Sequence, residues 1–340
     1  MTTEIPLSVC VITYNHADYI EEAVLSVIDQ KTSFDFEILI GEDCSTDRTA
    51  DILRCLQERY PGRMDVIYRD RNIGASQNFE ETVKACRGEF VAFLEGDDFW
   101  ADNNKLETQV AYLRQHQGAS FCYHRVRSLN QNTPSIEHTY PSEDPPMETT
   151  FEFVFQEYNP IHLTSVVARR RLLDGLHEWR KGLHIGDWPI ALSLTTVGYG
   201  GFIPVEMSRY RVHSEGTWTK LPDCIRLIYI FQMYLHLSKQ LSQHKKALVD
   251  SRIVRDSKWL VTAMVDHPEE ICRVVRQLED FELSMFLLSC ALQEATRQKP
   301  SSSSNSRPSA SSIPAQQNPD RTGFGRFVSN LRQRLGQRTS

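Results

Sequence analysis

Four short apolar runs, each followed by a segment of different periodicity, alternate through about the first hundred residues, and this alternation restricts what the chain can fold into more than any other feature. The runs are Leu7–Thr13 (LSVCVIT), Phe36–Ile40 (FEILI), Met64–Tyr68 and Phe90–Leu94 (FVAFL). They are rich in β-branched residues and stop at polar clusters, the pattern of strands buried on both faces of a parallel sheet. Between them, Ile20, Val24, Val27 and Ile28 recur at helical spacing over Tyr19–Ile28, and Ala50, Ile52, Leu53 and Leu56 do so over Thr46–Arg59. A third helix is predicted over Phe79–Cys86. A βαβαβαβ order implies a doubly wound α/β sheet with helices on both faces.

In open sheets of this kind, ligands bind beyond the carboxyl ends of the strands. Here the first run leads into Thr13-Tyr14-Asn15-His16 and the second into Glu42-Asp43-Cys44-Ser45-Thr46-Asp47. The third leads into Arg69-Asp70-Arg71-Asn72 and the fourth into Glu95-Gly96-Asp97-Asp98. Acids at three successive strand ends suit a crevice for a hard cation, Mg²⁺ or Mn²⁺, and for hydroxyl-bearing groups. The first strand is followed by no GxGxxG, and the chain has no GxxxxGK[ST], so a bound diphosphate lacks the usual glycine cradle and must be held through a metal. An Asp-x-Asp type turn does that work, one carboxylate meeting a sugar hydroxyl and the next the cation.

The stretches Ser8-Val9-Cys10-Val11-Ile12-Thr13-Tyr14-Asn15, Glu42-Asp43-Cys44-Ser45-Thr46-Asp47-Arg48-Thr49, Asn72-Ile73-Gly74 with Asn78, and Gly88 through Trp100 come in a fixed order. They are followed by Lys105-Leu106 with Gln109, then Gly186-Asp187-Trp188 and Tyr210-Arg211-Val212-His213. In this combination the chain resembles the inverting family 2 glycosyltransferases of the GT-A fold, above all bacterial members that build cell-surface polysaccharides, over about residues 7 to 218. The resemblance implies that Thr13 and Asp43 hold the nucleotide base, with Asn15, Glu42 and Asn72 beside them. It implies that Glu95 faces the ribose or donor sugar and that Asp97 binds the metal, with His213 completing the metal or diphosphate site. Asp187 matches the family's catalytic base, and Arg211 offers charge to the leaving diphosphate. Glu42 and Glu95 stand where the family commonly has Asp.

The resemblance thus implies a metal-dependent transferase using Mn²⁺ or Mg²⁺ and a nucleoside-diphosphate sugar, a UDP-sugar, with a glycan or polyprenyl-linked hydroxyl as acceptor. Two other readings stand beside it: a sugar-1-phosphate nucleotidyltransferase, whose basic glycine-rich N-terminal loop is missing here, and an inactive sugar-nucleotide-binding scaffold. Plainer roles are open for the same residues. Asp43 could cap the helix near Thr46, Asp97 and Asp98 could shape a turn, Asp187 could be the turn acid of Gly-Asp-Trp-Pro, and His213 could be a core histidine. Trp100 and Trp218 could be core or stack on a sugar face, and stacking is the expectation because both adjoin polar motifs.

Beyond Trp100, a helix is expected over Lys105–His116, a strand over Ala119–Val126 and a polar excursion over Asn130–Thr150, of the length that lids and acceptor loops use. Helical spacing dominates from Pro222 to Thr296. The predicted domains are a GT-A domain over 1–220, an α-helical appendage over 221–299, a disordered linker over 300–320 and a basic amphipathic helix over 321–340. The linker follows from composition: eight of the twelve residues 301–312 are Ser. After it, Phe324, Phe327, Val328, Leu331 and Leu335 form an apolar stripe surrounded by Arg326, Arg332, Arg334 and Arg338, which predicts attachment to an anionic membrane surface. From Ser301 onward there are six Arg and one Asp, so the net charge of -6 hides an acidic body, and no nucleic-acid partner is expected. The eight Cys include no CxxC pair, and no His clustering suggests zinc, so most read as buried thiols of a reduced compartment. With no signal-type or membrane-spanning segment, the expected location is the cytoplasm, peripheral on the inner face of the plasma membrane through 321–340.

Overall fold

The computed structural model describes residues 5–131, 137–156, 159–267, 269–271 and 273. The chain divides into two compact units, Met1–Lys220 and Leu221–Ser340.

The first unit opens with β1 (Leu7–Thr13), α1 (Ile20–Ile28), β2 (Phe36–Glu42), α2 (Thr49–Arg59), β3 (Asp65–Tyr68), α3 (Ala75–Ala85) and β4 (Phe90–Glu95). It continues with β5 (Phe99–Trp100), α4 (Lys105–Gln115), β6 (Ala119–Asn130), β7 (Thr139–Tyr140), β8 (Glu148–Thr149) and α5 (Phe151–Gln156). The last elements are β9 (Val167–Arg169), α6 (Leu176–Arg180), α7 (Asp187–Val197) and β10 (Tyr199–Val212). Among the described residues these strands form one mixed sheet of order β3-β2-β1-β4-β9-β6-β10-β5, with β7 on β6 and β8 on β10. The half from β3 to β4 is parallel. β9 then runs antiparallel to both β4 and β6.

β1 lies between β2 and β4, so its Leu7, Val9 and Val11 are fully buried along with Ser8. The Ser8 hydroxyl is not orphaned there: it donates to Glu37 and accepts from the amides of Arg87 and Gly88. Ile20, Val24 and Val27 of the predicted stripe turn into the core together with Ala23, while Ile28 is half-buried. The expected starts of two helices move for local reasons. α2 begins at Thr49 rather than Thr46 because the Asp47 carboxylate accepts from the Thr49 amide and hydroxyl. α3 begins at Ala75 rather than Phe79 because Gly74, at φ 86°, turns the chain into the helix. The strand expected to end at Val126 runs on to Asn130, paired with the long β10.

The second unit contains α8 (Asp223–Gln240) and α9 (Gln243–Asp266), which pack on each other. Leu227, Ile228, Phe231 and Leu237 are buried on α8. No helix among the described residues is long and apolar enough to cross a membrane. The linker over 300–320, the amphipathic helix over 321–340 and all of the helical pattern after 273 lie outside the described residues.

Candidate active site

The carboxyl ends of β1, β2 and β4 are adjacent in the sheet, so parallel pairing brings Thr13, Glu42 and Glu95 to one edge. The β1 end is tied to the β2 end by the Asp43 amide, which donates to the Thr13 carbonyl at 3.0 Å. Asn15, at φ 56°, makes the turn after β1. Its amide donates to Ser45 Oγ at 2.9 Å and its side-chain oxygen accepts from the Thr46 amide at 2.8 Å. Glu42 is buried and accepts from the Ser45 amide at 2.7 Å.

Asp43 is 1% exposed, and both its oxygens are engaged: Oδ1 accepts from the Ile73 amide at 2.8 Å and Oδ2 from the Gly74 amide at 2.9 Å. It therefore anchors the turn leading into α3 and does not cap α2. Asn72 lies exposed on that turn. Gly96 begins the acidic turn after β4, where close approach excludes a side chain: a Cβ there would stand 2.5 Å from Thr13 Oγ1 and 2.8 Å from His16 Nδ1.

The acidic turn is bound to the end of β10. Asp97 Oδ2 is 3.1 Å from His213 Nε2 and 3.7 Å from His16 Nε2. Buried Asp98 accepts from the Arg211 amide at 2.9 Å. The Arg211 guanidinium donates to the Asp97 carbonyl at 2.6 Å, pairs with Glu22 and lies between the rings of Phe99 and Tyr19, 4.5 and 5.2 Å from their centroids. Its position braces the turn from β10.

The electrostatics differ sharply among these acids. Burial alone would raise Asp97, but the His213 hydrogen bond and the charge of His16 outweigh it and hold its carboxyl below the usual range. Glu95 has no such partner, and burial together with the charges of Asp97 and Asp187 pushes it up to about 8. Burial followed by the charges of Asp97 and Glu95 raises Asp98 well above a normal carboxyl. Burial also lowers the basicity of His16.

Asp187 is the first residue of α7, placed so that Oδ1 accepts from the Trp188 amide at 2.8 Å and Oδ2 from Asn159 Nδ2 at 2.7 Å. Burial raises its carboxyl, and these two hydrogen bonds recover part of the shift. Its charge in turn helps to raise Glu95.

The Asp97 and His213 donor atoms fit a divalent cation such as Mn²⁺ or Mg²⁺. They stand at the spacing of neighbouring ligands on one ion, combine a hard carboxylate with an imidazole, and leave other positions for phosphate oxygens and water. Sequence reasoning assigned no role to His16, Asn159, Tyr19 or Glu22. His16 was visible in the polar run after β1, whereas no local pattern marks the other three. Trp100 corrects an expectation: it is 2% exposed in the core, where its indole N–H donates to the Thr164 carbonyl, so it has no face free for a sugar.

A sheet of this topology with an acidic turn braced to its far half is the GT-A arrangement. Residues 8–174 match the family described as Glycosyl transferase family 2, which places that segment in the family. An uncharacterized protein of Mycobacterium tuberculosis is 34% identical over 215 residues, which are 62% of this chain and 60% of that protein. TuaG of Bacillus subtilis, whose name assigns it to teichuronic acid biosynthesis, is 40% identical over 120 residues, 35% of this chain and 46% of TuaG. The chain thus spans about 60% of the length of the curated relatives it matches first. Residues 1–349 of S. aureus TarS, solved with UDP-GlcNAc, share the fold with a TM-score of 0.57 at 16% identity, over 84% of this chain and 79% of that one. The mannosyltransferase PcManGT of Pyrobaculum calidifontis, solved with GDP-Man and Mn²⁺, does so with a TM-score of 0.55 at 14% identity, over 88% and 89%.

Proposed function

We propose that the protein is a metal-dependent inverting glycosyltransferase that moves a sugar from a UDP-sugar to a hydroxyl of a glycan or polyprenyl-linked acceptor in surface polysaccharide synthesis. The observation that carries this reading is the Asp97–His213 pair, which joins the acidic turn after β4 to the end of β10 at 3.1 Å. TarS with UDP-GlcNAc and PcManGT with GDP-Man and Mn²⁺ support the donor class and the metal, and the name of TuaG supports the acceptor class.

On this reading Thr13 and Asp43 hold the base, with Asn15, Glu42 and Asn72 shaping the edge around it. Asp97 and His213 would hold the cation, which when bound supplies positive charge to the leaving diphosphate. Arg211 keeps the acidic turn in register and adds its own charge close by. Glu95, neutral near pH 7 while no cation is present, can donate to a sugar hydroxyl. Asp187 is raised by burial yet oriented by Asn159 and the Trp188 amide, so it takes the acceptor proton as that oxygen attacks the anomeric carbon. Single displacement of this kind inverts the anomeric centre.

Turnover of a nucleotide-sugar panel with Mn²⁺, read as nucleotide release, tests the proposal. Asp187→Asn should keep donor binding and lose roughly two to four orders of magnitude in turnover. Equal loss of binding and turnover, or release of pyrophosphate from an NTP and a sugar phosphate, overturns it. Attachment to anionic membrane through 321–340, on the cytoplasmic side, belongs to the same proposal and rests on the sequence pattern. Liposome co-sedimentation of the full chain against a chain ending at Pro300 checks it, with equal sedimentation counting against it.

A further inference from the structure

The second unit gathers three side chains that no role in sugar transfer uses. Cys224 is the second residue of α8, His267 follows the last residue of α9, and Glu270 lies just beyond it. Cys224 Sγ is 3.5 Å from Glu270 Oε2, and His267 Nδ1 is 3.2 Å from the same oxygen. All three donor atoms lie within 4.8 Å of one another, the only such group of three His, Cys, Asp or Glu among the described residues.

These distances have a specific meaning. Ligands at about 2.0 to 2.3 Å from a tetrahedral Zn²⁺ stand roughly 3.3 to 3.5 Å apart, the sulfur-oxygen edge being the longer. Both separations here agree with those edges. A thiol, an imidazole and a carboxylate also make a mixed donor set that suits Zn²⁺ better than the hard cations expected beside Asp97. Cys224 is buried, Glu270 half-buried and His267 exposed, so solvent reaches the group from the His267 side.

We infer that Cys224, His267 and Glu270 form a Zn²⁺ site, with water as fourth ligand, that clamps the start of α8 to the segment following α9. The ion binds the thiolate, so its entry releases the Cys224 proton to solvent, and no oxidation is involved. Without metal the thiol is a weak donor to Glu270 at 3.5 Å.

The test uses the full chain, stripped with chelator and titrated with Zn²⁺, and separately with Co²⁺ as a spectroscopic probe. The expected result is one tightly held Zn²⁺ per chain, a rise in Tm on its addition, and a near-ultraviolet thiolate-to-cobalt band. Cys224→Ser should abolish the band and weaken Zn²⁺ binding by more than about a hundredfold, because a direct ligand counts for more than the 10- to 100-fold of an outer-shell partner. His267→Gln, a change at an exposed position that leaves the buried packing intact, should weaken binding while keeping the band. Asp97→Asn separates this site from the donor crevice: it should retain both the Zn²⁺ and the band. Absence of the cobalt band in the wild-type chain, or its persistence in Cys224→Ser, overturns the inference and leaves the proposed transferase activity untouched.

Discussion

Replacing Asp43 by Ala should cost the protein both stability and donor affinity, and the two losses have separate origins. In the free protein the carboxylate accepts from the Ile73 and Gly74 amides at 2.8 and 2.9 Å while itself 1% exposed. Hydrogen bonds to a charged group contribute about 1.5 to 3 kcal/mol each. Ile73 and Gly74 are half-buried, so water can satisfy their amides after the substitution, which reduces the expected cost to about 2 kcal/mol for the pair. For a domain of this size that is a fall in Tm of about 4 to 8 °C. Each carboxylate oxygen keeps a second lone pair, so the same group can also accept from the imide N–H of a uracil. Loss of that acceptor should weaken UDP binding by about 1 to 3 kcal/mol, or roughly 5- to 150-fold. Differential scanning fluorimetry without ligand reads the first effect and isothermal titration with UDP the second. Asn72→Ala, an exposed change on the same turn, is the control and should leave Tm unchanged. A wild-type Tm in Asp43→Ala would refute the anchoring argument, and an unchanged UDP affinity would refute base recognition.

Asp97→Asn should abolish the Mn²⁺-dependent part of UDP binding, since an amide brings no charge to the cation; calorimetry with and without Mn²⁺ reads it, and full retention contradicts the assignment. Asn159→Ala removes a hydrogen bond that lowers the Asp187 carboxyl, so that carboxyl should rise further. A base must be deprotonated to act, so the acidic limb of the kcat profile should move to higher pH, and an unmoved limb would make Asn159 irrelevant to Asp187. Lys105 tests the core beneath the acidic turn: it is fully buried, its Nζ lies 4.1 Å from the centroid of the Trp100 ring, and burial pulls the amine from 10.5 down to about 7. The unfolded chain then binds the proton more tightly, so stability rises with pH between those two values. Urea unfolding of the wild type should strengthen by on the order of 2 kcal/mol from pH 7.5 to 9, less the rise seen in Lys105→Met, which lacks the group; equal pH dependence in the two proteins contradicts the argument.

What the sequence makes legible divides along the line between local and non-local causes. β1 to β4 and the helices between them are set by periodicities that a window of a few residues contains, and the strand-end rule then marks Thr13, Glu42, Asp43 and the Glu95 turn before any contact is known. β10 gives no such signal. Gly200, Gly201, Pro204 and Glu206 interrupt its alternation, and its pairing with β6 shifts register near Ile203 and Glu206. Yet this irregular strand carries Arg211 and leads directly to His213, which meet the acidic turn across the width of the sheet. Asn159 is hidden for a related reason, since its bond to Asp187 depends on the chain between α5 and α7 folding back on itself. Cys224 is separated from His267 and Glu270 by the whole length of α8 and α9, so no CxxC or HxxxH spacing can announce them. Local patterns therefore identify the half of the crevice that would hold the nucleotide. The half that would hold the metal and accept the proton depends on where β10 and α7 come to lie, which no window of a few residues contains.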